Sequence, residues 1–529
     1  MTQEIDYKET EFFSKLITDY LENKAALKPF LAQFNALKNY RAQIDAKQFS
    51  DKKRQILVQS LQKQYKNIET EPKVSHNIAL LLQPNTYTVT TGHQLSIVGN
   101  PLYFLYKIAG TITLCNELSK AYPNENFVPI FWLASEDHDF EEIASFKLFN
   151  QNYAWETTQT GAVGRMQLEE LKSIFSEDFF KKLENETYFE KLKNILKNAY
   201  LDSQNLAEAT QKFVTALFDA YGIVVLNADE KTLKTLFAPF ITKDIQRQYV
   251  QPLVIQSTKK LQDLGYKPQV FPRPINFFYM QNNLRQRLVF EENTYSVLGT
   301  EIKFSEAEIL EEISTNPQNF SPNVVMRPLY QETILPNIAY IGGGGELAYW
   351  LQLKAVFDAS DVAFPILVLR NSILFVSKNN AKKQAKLGIT ATNIFKTTEI
   401  LQKQYLQSQP EETNFEPEKQ HFMAIFEQIK LKIKDVEASL LGFAEGEQVR
   451  ILKQIDGIEA KLKKSQKQKY ETELSQILAL KQSLFPDGNL QERTDNFLPY
   501  YLSEGDDFIA SLVENCNPLH TKFKIITKE

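Results

Sequence analysis

Residues 87–134 decide the fold, and they read YTVTTGHQLSIVGNPLYFLYKIAGTITLCNELSKAYPNENFVPIFWLA. Residues 87–91 are β-branched or aromatic and predict a strand, which Gly92 interrupts. Pro101 suits the first position of a helix that runs to about Lys120, and residues 127–134 have the composition of a buried strand. A strand, a helix and a second strand over roughly fifty residues form a βαβ unit. We therefore predict an α/β core.

The sequence on either side of this unit predicts insertions into that core. Apolar residues recur at helical spacing in the first 80 residues, and further strands are expected at 222–226 and 363–369. The predicted segments are an N-terminal helical segment (1–80), the first part of the core (81–150), a mostly helical insertion (151–220), the rest of the core with a β-rich insertion and a glycine loop (221–385), a coiled-coil arm (390–490) and a C-terminal segment that returns to the core (491–529).

The arm is predicted from a heptad-like stripe of apolar residues. Steps of four and three separate Phe422, Phe426, Ile429, Ile433, Val436 and Leu440, and the same spacing resumes from Ile451. Gly442 and Gly446 are interpreted as a turn between two antiparallel helices, and 486–488 as the turn that closes the region. Such a stripe fits dimerisation and an intramolecular helical hairpin equally well, because it does not say which chain supplies the opposing surface.

Composition excludes several classes of protein. Of 529 residues, 43% are hydrophobic and 24% charged, the mean hydropathy is −0.34, and no apolar run reaches the ~20 residues of a membrane span. The net charge of −5 does not indicate nucleic-acid binding, which is typical of proteins with a strongly basic surface. Cys115 and Cys516 are too few for a disulfide framework and are interpreted as buried packing residues. With no apolar leader at the N-terminus, we expect a cytoplasmic protein that binds neither membrane nor nucleic acid.

Glycine is scarce, yet four of the eighteen glycines stand together at 342–345. An apolar run precedes Gly342, Gly343, Gly344 and Gly345, and a helical stretch that starts at Glu346 follows them. Backbone amides in such a loop can face an anion at a helix N-terminus. A hinge or tight turn is the alternative. Glu346 could complement the helix dipole or hold a substrate amino group.

Two further clusters follow the two strands of the βαβ unit. The first is Thr91-Gly92-His93-Gln94, and the second is Ser135-Glu136-Asp137-His138-Asp139. Ligands of open α/β sheets bind beyond the carboxyl ends of strands, so we expect His93 and His138 in one crevice. The alternative for His93 is a turn or capping role. The spacing of the acids does not predict a protein-held metal, and Glu141 and Glu142 are interpreted as a solvated helix start.

These clusters, in this order, resemble the bacillithiol biosynthesis cysteine-adding enzymes, the cysteine ligase family. The resemblance is carried over nearly the whole chain by the runs 91–94, 99–107, 131–142, 323–329 and 342–353. One departure is Gly344, where the family has proline. The resemblance implies a Rossmann-like core with connecting-peptide insertions and a coiled-coil arm that forms a homodimer. It also implies addition of L-cysteine to glucosaminyl-malate, the last step of bacillithiol biosynthesis.

The implied chemistry is amide formation, which needs an activated carboxyl group. ATP is the expected activator, with Mg²⁺ carried by the nucleotide, through an acyl-adenylate or an acyl phosphate. Residues 91–94 look like a variant of the His-Ile-Gly-His signature of class I aminoacyl-tRNA synthetases, although the second histidine and the companion lysine loop are missing. The resemblance implies catalytic roles for His93, Gln94, Asp137, His138 and Asp139. It implies nucleotide or substrate binding by Thr91, Gly92, Asn100, Lys107, Arg327, Gly342, Gly343, Gly344, Gly345, Glu346 and Tyr349.

Several alternatives stay open at this stage. His93 and Gln94 are expected to stabilise phosphate charge, and Asp137 or Asp139 to take a proton from the amine or hold the cysteine ammonium. Lys107 and Arg327 could bind phosphate or the malate carboxylates, or form structural salt bridges. Other hypotheses for the whole protein are a nucleotide-binding dimeric scaffold and a nucleotidyl- or aminoacyl-transfer enzyme with a different acceptor.

Overall fold

The computed structural model describes residues 2–149, 151–409 and 414–528, so the predicted segment ends at 1, 150 and 529 lie outside the described residues. The first part of the chain contains β1 (Thr2–Ile5), α1 (Lys15–Leu21), α2 (Tyr40–Ala46), α3 (Asp51–Gln64), α4 (Pro72–Leu80), β2 (Thr86–His93), α5 (Tyr103–Ala121) and β3 (Asn126–Leu133). The first insertion and the strand after it contain β4 (Ser145–Leu148), β5 (Gln151–Ala154), α6 (Glu169–Lys172), α7 (Glu177–Lys181), α8 (Phe189–Leu196), α9 (Leu206–Phe218) and β6 (Val224–Asn227).

The second insertion leads into the last core strands and the helical region. It contains α10 (Lys231–Arg247), α11 (Val250–Asp263), β7 (Phe277–Gln281), β8 (Leu284–Glu291), β9 (Thr294–Val297), β10 (Lys303–Phe304), α12 (Glu306–Thr315), β11 (Phe320–Pro322) and α13 (Arg327–Ile334). The core then continues with β12 (Asn337–Gly342), α14 (Gly344–Trp350), α15 (Lys354–Ala359), β13 (Ile366–Leu369) and β14 (Ile373–Val376). The remaining elements are α16 (Lys378–Lys386), α17 (Thr398–Gln407), α18 (Glu416–Val436), α19 (Leu441–Lys469), α20 (Glu471–Leu484), α21 (Leu498–Glu504), α22 (Asp506–Asn515) and β15 (Phe523–Thr527).

The predicted βαβ unit is confirmed as β2, α5 and β3. These strands belong to a five-stranded parallel sheet with the order β13-β12-β2-β3-β6. The sequence predicted that Gly92 interrupts this strand, but the strand continues through Gly92 to His93. A Cβ on Gly92 would lie 3.3 Å from Trp132 on β3, so the glycine allows the close approach of the neighbouring strand. The helix begins at Tyr103, two residues after Pro101.

One face of this sheet is apolar and the other carries a polar network. Val89, Ile341 and Val368 pack in one cluster with Leu114 and Cys115 of α5, as expected for buried strands. Both cysteines are free and buried, as interpreted from the sequence. On the other face Thr88 and Thr90 donate hydrogen bonds to Asn337, at 3.1 and 2.7 Å.

That polar network contains a buried ion pair. The Asn337 amide donates to Glu332 at 2.6 Å, and the ammonium group of Lys47 lies 3.1 Å from the other carboxylate oxygen of Glu332. Both charged side chains are buried, and Lys47 also donates to the backbone carbonyl of Glu332. The pair ties the segment after α2 to α13.

The insertions differ in structure. The first contains the β4–β5 hairpin, which the helical prediction missed, as well as α6–α9. Glu141 and Glu142 lie in an exposed turn and not in a helix start, so that interpretation was wrong. The second insertion forms an antiparallel sheet with the order β10-β9-β8-β7-β11, which confirms the β-rich insertion predicted within 221–385.

Contacts between Cα atoms divide the chain into two units, one of which contains residues 374–490. In that unit α18 and α19 form a helical hairpin, joined across its base by Lys419 with Asp456 and Glu459 at 2.6 and 2.7 Å. The predicted turn at Gly442 and Gly446 was wrong, because both lie inside α19. The turn is at 437–440, and a helix tolerates a glycine for about 1 kcal/mol.

The hairpin leaves much of its apolar stripe exposed. No described residue of α18 is buried, and Val436 and Leu440 of the stripe are 87% and 50% exposed. Leu431, which is not part of the stripe, is 64% exposed. Phe443 on α19 is 71% exposed. The stripe is therefore only partly covered by the hairpin itself.

Candidate active site

A cavity lies where the strand order of the parallel sheet reverses. The chain runs from β2 outward to β3 and β6, then returns to β12 and β13 on the other side of β2. Ligands of such sheets bind at this point, beyond the carboxyl ends of the strands. The cavity has a volume of about 540 Å³, and its wall includes His93 and His138, which confirms that the two histidines share one crevice.

A closed ionic network occupies the β2–β12 end of the cavity. Buried Lys107, on α5, lies 2.6 Å from Glu346 and donates to the Gly92 carbonyl at 2.6 Å. Glu346 also accepts from the Tyr340 hydroxyl at 2.6 Å. Burial alone raises the pKa of Glu346, but the charge of Lys107 and a backbone hydrogen bond from Gly343 bring it to about 2. Glu346 is therefore ionised, and both of its carboxylate oxygens already accept hydrogen bonds from protein groups.

The glycine loop has a structural role in this arrangement. The Gly343 amide donates to Glu346 at 2.8 Å, so the side chain caps the start of its own helix. A Cβ on Gly342 would lie 3.0 Å from Glu346, and one on Gly344 would lie 3.2 Å from Ile17. The described cavity wall does not include Gly342, Gly343, Gly344 or Gly345.

His93 presents a neutral ring to the cavity. Its Nδ1 lies 2.9 Å from the carbonyl oxygen of Gln94, and because a carbonyl can only accept, Nδ1 carries the proton. Burial, and then the charge of Lys107, lower the pKa of His93 from 6.5 to about 3. The unprotonated Nε2 has no hydrogen-bond partner among the described residues and is an acceptor. Tyr103 and Phe104 pack against the ring.

The acidic cluster after β3 enters the cavity only in part. Asp137 and His138 line it, whereas Asp139 is exposed and lies outside the wall. Asp137 accepts the backbone amide of His138 at 2.7 Å, which fixes the turn. Gln94 lines the cavity and donates to Asp137 at 3.4 Å and to Glu142.

The remaining predicted residues are divided between the cavity and its support. Arg327 and Tyr349 line the cavity and are joined by a 3.2 Å hydrogen bond from the guanidinium to the hydroxyl. Thr91 is buried and donates to the Ile341 carbonyl at 2.8 Å, so it holds β2 to β12. Asn100 is partly buried and lies outside the described cavity wall.

The sequence reasoning missed several wall residues from the second insertion and its flanks. Arg285 on β8 is buried, stacks 3.9 Å from the Phe278 ring and contacts His138. Lys234 on α10 is buried and pairs at 2.7 Å with Glu136, the wall residue of the acidic cluster after β3. An arginine at the second position of a strand was the available signal for Arg285, but nothing local connects β8 to β2.

The described residues contain neither a metal-binding cluster nor a membrane-spanning helix. No group of three or more His, Cys, Asp and Glu side chains is arranged there to hold a metal ion. No helix in the same ranges is long and apolar enough to cross a membrane.

The fold and cavity define a Rossmann-like α/β protein with a coiled-coil domain. The family model for the bacillithiol biosynthesis BshC N-terminal Rossmann-like domain matches residues 1–371, and that for the BshC C-terminal coiled-coil domain matches residues 373–528. The chain belongs to the BshC family of bacillithiol biosynthesis, as the sequence resemblance implied.

The relatives agree with this assignment. A protein of Flavobacterium psychrophilum named "Putative cysteine ligase BshC" is 41% identical, covering 99% of this chain and 98% of its own. Proteins of the same name from Flavobacterium johnsoniae and Bacillus cereus are 40% and 27% identical, covering 99% and 94% of this chain and 99% and 95% of their own. These names bear out the predicted class of C–N bond-forming ligase.

Among solved structures, a chain titled as a putative arginyl-tRNA synthetase of Campylobacter jejuni aligns with 10% identity and a TM-score of 0.21. The alignment covers 82% of this chain and 96% of that one. The score is too low to carry an argument.

Proposed function

We propose that this protein is a cysteine ligase that joins the carboxyl group of L-cysteine to the amine of glucosaminyl-malate. The main support is the full-length match to relatives named for cysteine ligation, together with a charged cavity at the carboxyl ends of β2 and β12. The product is an amide and is the thiol bacillithiol. We expect the reaction in the cytoplasm, where cysteine stays reduced.

We propose ATP as the co-substrate, with Mg²⁺ carried by the nucleotide. The fit rests on Arg370, whose buried Nε has no hydrogen-bond partner among the described residues. A Cβ on Gly343 would be in van der Waals contact with this Nε, at 3.8 Å, so the glycine leaves that side of the donor uncovered; both residues lie outside the described cavity wall. Such a donor suits a phosphate oxygen. When bound, ATP supplies the activation of the cysteine carboxyl group.

We propose that His93 takes the proton from the attacking amine. Its Nδ1–H is committed to the Gln94 carbonyl and the residue lines the cavity, so Nε2 is the ring nitrogen left to accept a proton. In the resting enzyme burial and Lys107 keep the ring neutral, so Nε2 has an acceptor lone pair and no proton to donate to a phosphate. The imidazolium that forms when Nε2 takes the amine proton is disfavoured by the same groups, so the ring must release that proton again before the next turnover. Lys107 and Glu346 then act by holding the end of β2 against α14.

The test is a mass-spectrometric assay of the purified full-length protein with ATP, Mg²⁺, L-cysteine and glucosaminyl-malate. We expect the cysteinylated product only when all are present, and the release of AMP or ADP identifies the activation route. Each omission is a control. A folded protein that binds nucleotide without forming product would contradict the ligase and favour the scaffold.

We propose further that two chains dimerise through the hairpin of α18 and α19. The exposed Leu431, Val436 and Phe443 support this proposal, because the monomer does not cover them. Sedimentation equilibrium should give twice the chain mass, and Phe443→Glu should shift the protein to monomer. A wild-type protein that remains monomeric at all concentrations would refute it.

A further inference from the structure

The cationic side chains in and behind the cavity wall fall into two groups. Three have a carboxylate partner: Lys107 with Glu346 at 2.6 Å, Lys234 with Glu136 at 2.7 Å and Arg370 with Glu492 at 2.7 Å. Two others line the cavity, Arg285 and Arg327, and neither has a carboxylate within 4 Å among the described residues. A buried cation without a counter-ion costs free energy that a bound anion can offset.

Arg285 is fixed before any ligand binds. Its Nε donates to the Ser321 hydroxyl at 3.1 Å, one terminal nitrogen contacts His138, and the plane stacks on Phe278. The side chain is 8% exposed. Burial lowers the pKa of Arg285, and the more distant charges of Asp137 and Glu136 oppose that shift only in part. N–H groups of the terminal nitrogens remain for a ligand.

Arg327 is held in a similar way by neutral groups. Its terminal nitrogens donate to Gln331 at 3.1 Å and to the Tyr349 hydroxyl at 3.2 Å. The guanidinium lies 5.5 Å from the centre of the Tyr340 ring. These three partners are neutral. Burial opposes the positive charge, and the Glu346 carboxylate raises the pKa of Arg327 but forms no ion pair with it and is paired with Lys107 instead.

One segment of the chain connects the two arginines. Ser321 and Pro322 at the end of β11 accept hydrogen bonds from Arg285, and Arg327 is the first residue of α13. Pro322, Asn323 and Val324, which lie between them, line the cavity. The two guanidinium groups therefore belong to one wall and are anchored on separate elements.

We propose that Arg285 and Arg327 bind the two carboxylates of the malyl group of the acceptor and so select it over an amino sugar without malate. This proposal rests on the proposed ligase function. A planar guanidinium fork matches a carboxylate. Two forks anchored separately suit two separate carboxylates, and a phosphate chain is the other anion that could bind here.

The test measures anion binding without turnover. Titration calorimetry with L-malate compares wild type, Arg285→Gln and Arg327→Gln, with Arg287→Gln on the same strand, outside the described cavity wall, as the matched control. We expect Arg285→Gln and Arg327→Gln each to lower the affinity for malate about 10- to 100-fold, because each removes one charge-assisted contact. The Arg287→Gln control should keep the wild-type affinity. ATP affinity should not change. Loss of ATP or phosphate affinity with intact malate binding would overturn the proposal.

Kinetics with saturating ATP and cysteine supply the second measurement. The variants should raise the KM for glucosaminyl-malate by a similar factor with a much smaller change in kcat, and should lower the preference for glucosaminyl-malate over glucosamine. Arg285→Lys keeps the charge but loses the planar guanidinium, so its KM for glucosaminyl-malate should lie between those of wild type and Arg285→Gln. The lysine variant also replaces Arg285→Gln as the test if Arg285→Gln fails to fold. Equal losses with both acceptors would refute selection by malate. Arginine-dependent malate binding without product would contradict the ligase alone.

Discussion

The parallel sheet and the helical hairpin have similarly regular apolar patterns in the sequence but opposite burial in the structure. In β2 and β3 nearly every residue is buried, and α5 covers one face of both strands. In α18 no described residue is buried. An apolar pattern therefore identifies the residues that favour burial. Whether the same chain buries them depends on contacts between segments that are distant in the sequence.

The largest effect on stability is expected at the ion pair on the polar face of the sheet. Lys47→Met leaves Glu332 buried with its charge unpaired, which typically costs about 3–5 kcal/mol of the free energy of unfolding. Urea unfolding followed by circular dichroism measures the loss. The exposed Lys38→Met is the control. A loss below about 1 kcal/mol would show that the pair is not desolvated as described.

A matched pair of leucines compares the two regions directly. Leu114 is fully buried in α5, and Leu431 is 64% exposed in α18. Leu114→Ala should cost about 2–5 kcal/mol because it creates a cavity. Leu431→Ala should change the free energy of unfolding of the monomer by no more than about 0.5 kcal/mol. Equal losses at low protein concentration would contradict the comparison.

A smaller, pH-dependent effect is expected from His93. Its folded pKa of about 3 lies below the ordinary 6.5, so the unfolded chain binds this proton first as the pH falls. Its contribution to stability is complete above 6.5 and declines from there towards pH 3. In urea unfolding between these values, His93→Gln should remove this part of the slope. An unchanged slope would mean that the ring is not buried as a neutral group.

The βαβ unit and the shared crevice of His93 and His138 were predictable because they depend on local sequence. Buried parallel strands appear as apolar runs, and their carboxyl ends meet at one edge of the sheet. The contribution of Arg285 was not predictable, since it reaches the cavity from an inserted sheet far along the chain. The glycine loop misled for a different reason: Glu346, three residues after Gly343, takes the amide that was expected to meet an anion.

The turn in the hairpin shows the limit of residue preferences. Gly442 and Gly446 are turn-forming residues, but the turn lies just before them, at 437–440. Helix continuation through two glycines costs little beside the contacts of a long helix with its neighbour. Residue type alone could not locate that boundary.

The most direct test of the central claim is the initial rate of cysteinylated product formation by His93→Ala, compared with wild type and with His421→Ala. His421 is exposed on α18, so its variant controls for the loss of an imidazole elsewhere. Removal of a proton acceptor at the reaction centre should lower the rate about 100-fold or more, and His421→Ala should keep the wild-type rate. A His93→Ala variant that forms product at the wild-type rate would contradict the assignment of this cavity as the place where the amide is made.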